Sequence, residues 1–198
     1  AGLTVPEDRK NSEYAQRKTR IYEINRLAAN FFYKNLLKGT DKRGLQYFAQ
    51  RKLSPQTVKK YGLGFAPDSY NTLYNHLKEN GYKDDEIIDS WLCSRSEKNG
   101  KIYDIFHNRV MFPIIDLRGN VIGFGGRVLD DSKPKYLNTS KTPVFDKGNN
   151  LFSMNFAKNS PEKRIILAEG YMDVISINQA GFENVVATLG TAIIMAVP

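Results

Sequence analysis

The feature that most constrains this chain lies near its end. There IILAEGYMDVISINQAGFENVVA runs from one apolar triplet, through a stretch with helical spacing, to a second apolar triplet. Ile165, Ile166 and Leu167 predict a buried strand, residues 171–180 a helix stopped by Gly181, and residues 185–187 a second strand. Two strands joined through a helix run parallel, because the crossover returns the chain to the end of the sheet it left. The ligand site of such a βαβ unit lies beyond the carboxyl ends of its strands. Glu169 occupies that position, with Gly170 turning the chain behind it, and Asp173 falls in the first turn of the helix. Their spacing lets both carboxylates point to one side of the strand end.

Upstream the apolar period changes twice. Ile21, Ile24, Leu27, Ala28, Phe31, Phe32 and Leu36 recur at three- and four-residue steps, which predicts a helix over residues 12–37 with one buried face and a stop at Gly39. Its other face carries Arg17, Lys18, Arg20, Arg26 and Lys34, read here as solvated rather than as a phosphate track. A short helix is expected around Leu45 and Phe48. Ser54 and Pro55 then read as the cap and first residue of a third helix, ending near Gly62. Two further helices are expected, over residues 72–79 and 84–92. From Asn99 and Gly100 onward the pattern is β: a hairpin turn, then strands over 110–115 and 121–128 joined around Arg118 and Gly119. Residues 130–150 lack periodicity and are expected to be loop, with a domain boundary near Thr142. The expected architecture is mixed α/β: a helical and antiparallel-sheet N-terminal subdomain over 1–142, then part of an α/β domain over 143–198, with the active cleft between them.

Composition narrows the function. A net charge of +8 in 198 residues favours a polyanionic partner, and 41% hydrophobic content is enough to fill a core. The single cysteine, Cys93, excludes an internal disulfide or a Cys-cluster metal site and is expected to be buried and inert near Trp91; His76 and His107 are too scattered for zinc. No apolar run approaches the ~20 residues of a membrane span and no signal peptide opens the chain, so the expected location is the cytoplasm.

Paired carboxylates at a strand end suit a hard cation such as Mg²⁺, which takes one or two carboxylates plus substrate phosphates and waters. The competing explanation is that Glu169 and Asp173 are ordinary helix-start acids complementing the macrodipole. Gly123, Gly125 and Gly126 do not form a phosphate loop, because no Lys-Ser/Thr ending comes after them; they are read as letting one backbone approach another or kinking the strand to expose Arg127.

The string AEGYMDVISINQAGFENVVATLGT closely resembles the opening of a TOPRIM domain, the Mg²⁺-binding fold of primases, topoisomerases and some nucleases. FHNRVMFPIIDLRGNVIGFGGRVL, then PKYLNTSKTPVFDKGNNLF, together with YGLGFAP, resemble the core of bacterial DnaG-type primases. The resemblance implies a nucleotidyltransferase that polymerises ribonucleoside triphosphates into a short RNA primer on a single-stranded DNA template. It implies Glu169 as metal ligand or general acid/base, Asp173 in the same acidic centre with Mg²⁺ or Mn²⁺, and Arg109, Arg127, Lys135 and Lys147 on a basic wall beside it. Tyr136 and Phe124 could offer stacking faces, although core packing is the preferred reading of both; Lys135 is read as functional, and Asn138 as a reader of sugar or phosphate.

Family members carry further metal ligands in an Asp-x-Asp pair after this point, so the site is expected to be incomplete and the chain alone inactive. The tail AIIMAVP departs from the family pattern and is given no function. Zinc would belong to an N-terminal domain, and docking of the replicative helicase to a C-terminal one, neither of them in this sequence. Another TOPRIM enzyme, a topoisomerase or nuclease, and a non-catalytic nucleic-acid-binding module are the alternatives.

Overall fold

The computed structural model describes residues 6–190, with side chains from residue 11. Helix α1, Pro6–Lys38, buries Ile21, Ile24, Ala28, Phe32 and Leu36 along one stripe, each at most 1% exposed. It starts six residues before the position expected from apolar spacing, because its first turns are polar and carry no such signal. Of the basic face, Arg26 and Lys34 are exposed, as expected of a solvated face, while two arginines are paired. Arg17 pairs with Asp89, and Arg20 with Glu86 and Glu23, tying α1 to a later helix.

Next come helices α2, Arg43–Gln50, and α3, Pro55–Tyr61. The Ser54 hydroxyl accepts from the Thr57 N–H at 3.1 Å, Pro55 opens the helix, and Gly62 closes it at φ 60°, as the residue types require. Strand β1, Gly64–Ala66, has no strand signal in the sequence; its three residues are all buried and so do not alternate. Gly64 lets it lie directly on α1, where a Cβ would stand 2.5 Å from that of Phe32.

Helices α4, Thr72–Glu79, and α5, Asp84–Asp89, precede a hairpin of β2, Cys93–Arg95, and β3, Ile102–Asp104, which turns at Gly100 with φ 69°. Helix α5 ends before the expected residue 92 because Trp91 takes a left-handed φ of 59°. Asp104, 2% exposed, accepts the Leu73 and Tyr74 N–H groups at 2.8 Å each and so closes the start of α4. Cys93 is buried beside it, and burial, reinforced by the Asp104 charge, pushes its thiol far above the usual range.

Strands β4, Arg109–Ile115, and β5, Val121–Val128, form the centre of a four-stranded antiparallel sheet ordered β1-β4-β5-β6. The last strand, β6, Tyr136–Asn138, overturns the expected loop over 130–150: it pairs Tyr136 with Arg127 and Asn138 with Gly125. Three half-exposed edge residues leave no periodicity to read.

Two apolar cores flank this sheet. Met111 and Phe124 meet Phe32, Leu73, Leu77 and Ile87 on one side. On the other side Val110, Phe112 and Ile114 meet α2, α3 and the terminal unit. That unit comprises a short helix α6, Met154–Ala157, strand β7, Ile166–Ala168, helix α7, Tyr171–Gln179, and strand β8, Val185–Ala187, with β7 and β8 parallel as expected. The first triplet is not buried, however. Ile165 is 49% and Leu167 51% exposed, because among the described residues no element covers that face of β7.

Replacing Asp104 by Asn leaves one of the two backbone N–H groups facing an amide NH₂ instead of an acceptor. Thermal or urea unfolding should show a loss of about 1–3 kcal/mol, the cost of a buried unpaired donor.

Candidate active site

Strand β7 ends at Ala168, and Glu169 is the next residue. Gly170 then passes the chain into α7, whose first turn carries Asp173. Glu169 and Asp173 are both exposed and open on one cleft of about 310 Å³, shared with Tyr136, Asn138, Thr188 and Gly190. The cleft thus joins the acidic strand end to the edge strand of the antiparallel sheet.

What holds these parts in register is the side chain of Tyr171. Its ring lies in the groove above Gly125, where a Cβ would be 2.4 Å from the phenol carbon. It stacks on Phe112 at 4.8 Å with 8° between planes, and Phe152 meets it edge-on at 4.7 Å. Its hydroxyl donates to Asn138 Oδ1 at 2.7 Å, and Asn138 Nδ2 donates onward to the Leu189 carbonyl at 2.9 Å. Phe112, Gly125 and Asn138 form one cross-strand row, so a single ring reads three strands. Burial pushes its phenol far above the usual range, keeping the hydroxyl a donor.

The expected basic wall is partly assembled. Arg127 stands beside the cleft with its guanidinium carbon 4.7 Å from the Tyr47 ring centroid and 6.0 Å from that of Tyr136. Tyr136 is 42% exposed, against the preferred reading of core packing; burial first, then neighbouring Tyr47, raise its phenol pKa, while Arg127 lowers it. Phe124 is buried, as core packing requires. Lys135 is exposed next to Tyr136, its carbonyl accepting from the Val128 N–H at 3.1 Å. Lys147 is half-buried in a 3-10 turn, Lys147–Asn149, and does not line the cleft.

Arg109 departs from the expected placement on that wall. It is 5% exposed and its Nη1 donates to the Pro134 carbonyl at 2.9 Å and the Gly126 carbonyl at 3.4 Å. Burial lowers its pKa, since the first residue of β4 carries its side chain across β5 into the protein. The glycine triplet serves close approach: Gly125 admits Tyr171, Gly126 admits Phe106 and Arg109, and Gly123 admits Thr139.

Sequence reasoning missed Tyr47, which reaches Arg127 from α2, and the seating of Tyr171. No spacing rule links residues so far apart, although the match of Gly125 to a bulky neighbour is implicit in the glycine reading. Among the described residues no cluster of three or more His, Cys, Asp or Glu can hold a metal, and no helix is long and apolar enough to cross a membrane. The Glu169 and Asp173 pair is an all-oxygen donor set, which suits a hard divalent cation completed by phosphate and water.

An acid-tipped parallel βαβ unit docked on an antiparallel sheet defines a Toprim-bearing catalytic core: residues 163–196 match the Toprim domain family. Residues 31–158 match the family described as the DNA primase catalytic core, N-terminal domain, and the chain belongs to that family. It is 46% identical over 191 residues to the DNA primase of Clostridium acetobutylicum, covering 94% of this chain and 31% of that relative. A crystal structure of a DNA primase domain from Pseudomonas aeruginosa superposes with TM-score 0.81 at 43% identity, covering 87% of this chain and 55% of the other. A DnaG primase catalytic domain bound to single-stranded DNA gives TM-score 0.84 at 36% identity, covering 90% and 58%. The chain spans about a third of the length of the curated relatives it matches.

The Gly125→Ala substitution must displace the Tyr171 ring. It should cost about 1–3 kcal/mol, as overpacking does, and hydrogen exchange should show lost protection in β7 and α7 before β4.

Proposed function

We propose that this chain forms part of the catalytic core of a DNA primase, a nucleotidyltransferase that copies single-stranded DNA into short RNA primers. The observation that carries this reading is the opening of Glu169 and Asp173 on the same cleft as Tyr136 and Asn138, with Arg127 at its side. The relatives found are DNA primases, one of them solved with single-stranded DNA, so topoisomerase and nuclease readings are set aside.

In this reading Glu169 and Asp173 hold Mg²⁺ or Mn²⁺. Such an ion would neutralise developing charge on a nucleotide's phosphates. Arg127 and Lys135 take phosphate oxygens, Tyr136 offers a ring to a base or sugar, and Asn138, already engaged with Tyr171, holds that wall in place. Backbone charge plus a stacking face suits a template read without sequence preference. Lys147 is assigned to the approach of the nucleic acid. The pairing of Phe152 with Ala187 of β8 through backbone bonds of 2.9 and 3.2 Å allies the chain around residue 152 with the Toprim part, in keeping with a division ahead of it.

Three measurements test the proposal. Labelled single-stranded oligonucleotide should bind the chain with a log K against log salt slope of about −1.4 or steeper, the value for two phosphates neutralised by Arg127 and Lys135. Glu169→Gln combined with Asp173→Asn should abolish saturable Mn²⁺ binding, read by electron paramagnetic resonance, while oligonucleotide binding persists. In a primer-synthesis assay with Mg²⁺ or Mn²⁺ the chain alone should make no template-dependent RNA. Loss of oligonucleotide binding together with the carboxylates, or no binding at all, would overturn the reading.

A further inference from the structure

Two adjacent residues at the entry to β4 hold the two ends of one loop. Asn108 Nδ2 donates to Asp130 Oδ2 at 2.9 Å, and Arg109 Nη1 donates to the Pro134 carbonyl at 2.9 Å. Between these points burial restrains nothing, because residues 130–135 are all exposed. Ser132 turns inward, its N–H and hydroxyl both donating to Asp130 Oδ1. Asp130 is thus the hub of the loop, with one carboxylate oxygen for Ser132 and the other for Asn108. The loop leads straight into Lys135 and Tyr136, where the Lys135 carbonyl accepts the Val128 N–H at 3.1 Å and the β6 ladder begins.

Asn108 takes a backbone conformation that most residue types avoid. Its φ is 49°, in the left-handed region where asparagine is several times more frequent than most residues with a side chain. Its N–H donates to the carbonyl of Pro67, the residue after β1, at 3.0 Å. That geometry excludes a branched or bulky residue, yet it calls for no side-chain donor, and glycine would satisfy it with less strain. The amide is what remains to be explained. It reaches a carboxylate 22 residues along the chain, and only its NH₂ group can face that acceptor. A bond this exposed adds little to global stability, so its effect falls on where the loop lies.

We propose that Asn108 and Asp130 form a latch which, with the Arg109 bond to Pro134, sets the position of residues 130–134 and so presents Lys135 and Tyr136 to the cleft. Both are positioning residues that touch no ligand themselves. The inference rests on the nucleic-acid reading of the cleft. A loop already ordered before the ligand arrives leaves less conformational freedom to be lost on binding, which is how a latch remote from the contacts raises affinity.

The test uses the 198-residue chain and a labelled oligo-dT strand. Asn108→Gly keeps the left-handed backbone and removes the donor. It should weaken oligo-dT binding about three- to tenfold, the worth of ordering one side chain in advance, and leave the salt slope unchanged because no phosphate contact is lost. The melting temperature should fall by less than about 4 °C, while hydrogen exchange at the Val128 amide speeds up. Asn108→Asp sets two carboxylates against each other and should bind more weakly still. Adding Asp130→Asn to it restores the bond with donor and acceptor exchanged, and should recover more affinity than Asp130→Asn adds to the wild-type chain. Wild-type affinity of Asn108→Gly, an altered salt slope, unchanged exchange at Val128, or a swap without that extra recovery would overturn the latch. If the wild-type chain does not bind oligo-dT, the reading of the cleft fails, and exchange at Val128 then decides the latch alone: faster in Asn108→Gly upholds it, and unchanged overturns it.

Discussion

The architecture depends on one aromatic ring lying on one glycine. Tyr171 is the first residue of α7, so whatever fixes its ring also fixes the helix start that carries Asp173 and the strand end that carries Glu169. Gly125 gives the ring its depth, Phe112 its plane, and Asn138 its rotation about the axis of approach. A side chain at position 125 would lift the terminal unit off the sheet, and the acidic residues would lose their relation to Tyr136 and Arg127. Close packing makes this coupling stiff, because an interior at crystal-like density transmits small displacements instead of absorbing them.

Charge is distributed to the same end. Some basic side chains are committed within the fold: Arg17 and Arg20 brace α1 against α5, Lys78 pairs with Asp84, and Lys60 with Glu183. Arg127 is left with rings, and Glu169 and Asp173 have no ion-pair partner among the described residues. A cation held by aromatic faces thus stands at the side of a cleft that carries two unpaired carboxylates. The overall charge of +8 therefore says less about binding than which charges stand at the cleft.

Legibility in the sequence tracks the physical range of each signal. Local rules work where the cause is local: the Ser54 cap, the left-handed Gly62, the stripe of α1 and the βαβ unit all stand where residue type and spacing put them. They fail where the partner is distant. Strands β1 and β6 are three residues each and exist because β4 and β5 offer them edges, which no alternation inside them could announce. Leu167 reads as buried because apolar triplets usually are, yet burial needs an element to cover it. Glu169 and Asp173 are legible through the strand end, Tyr47 not at all, since only the fold brings α2 to β5.

Arg109 shows how a buried cation can brace an edge strand. Taking a guanidinium out of water is expensive unless its donors are satisfied, and Arg109 meets part of that demand with two carbonyls, leaving Nε without a partner. One of those carbonyls belongs to Pro134, immediately before Lys135 and Tyr136. The bond anchors the approach to a three-residue edge strand that otherwise hangs on its pairing with β5. A strand so short has few ladder bonds to resist fraying, so an interior cation tied to its entry adds restraint where the sheet supplies least. An arginine that the family resemblance places on a basic wall instead holds the backbone that leads into Lys135, Tyr136 and Asn138.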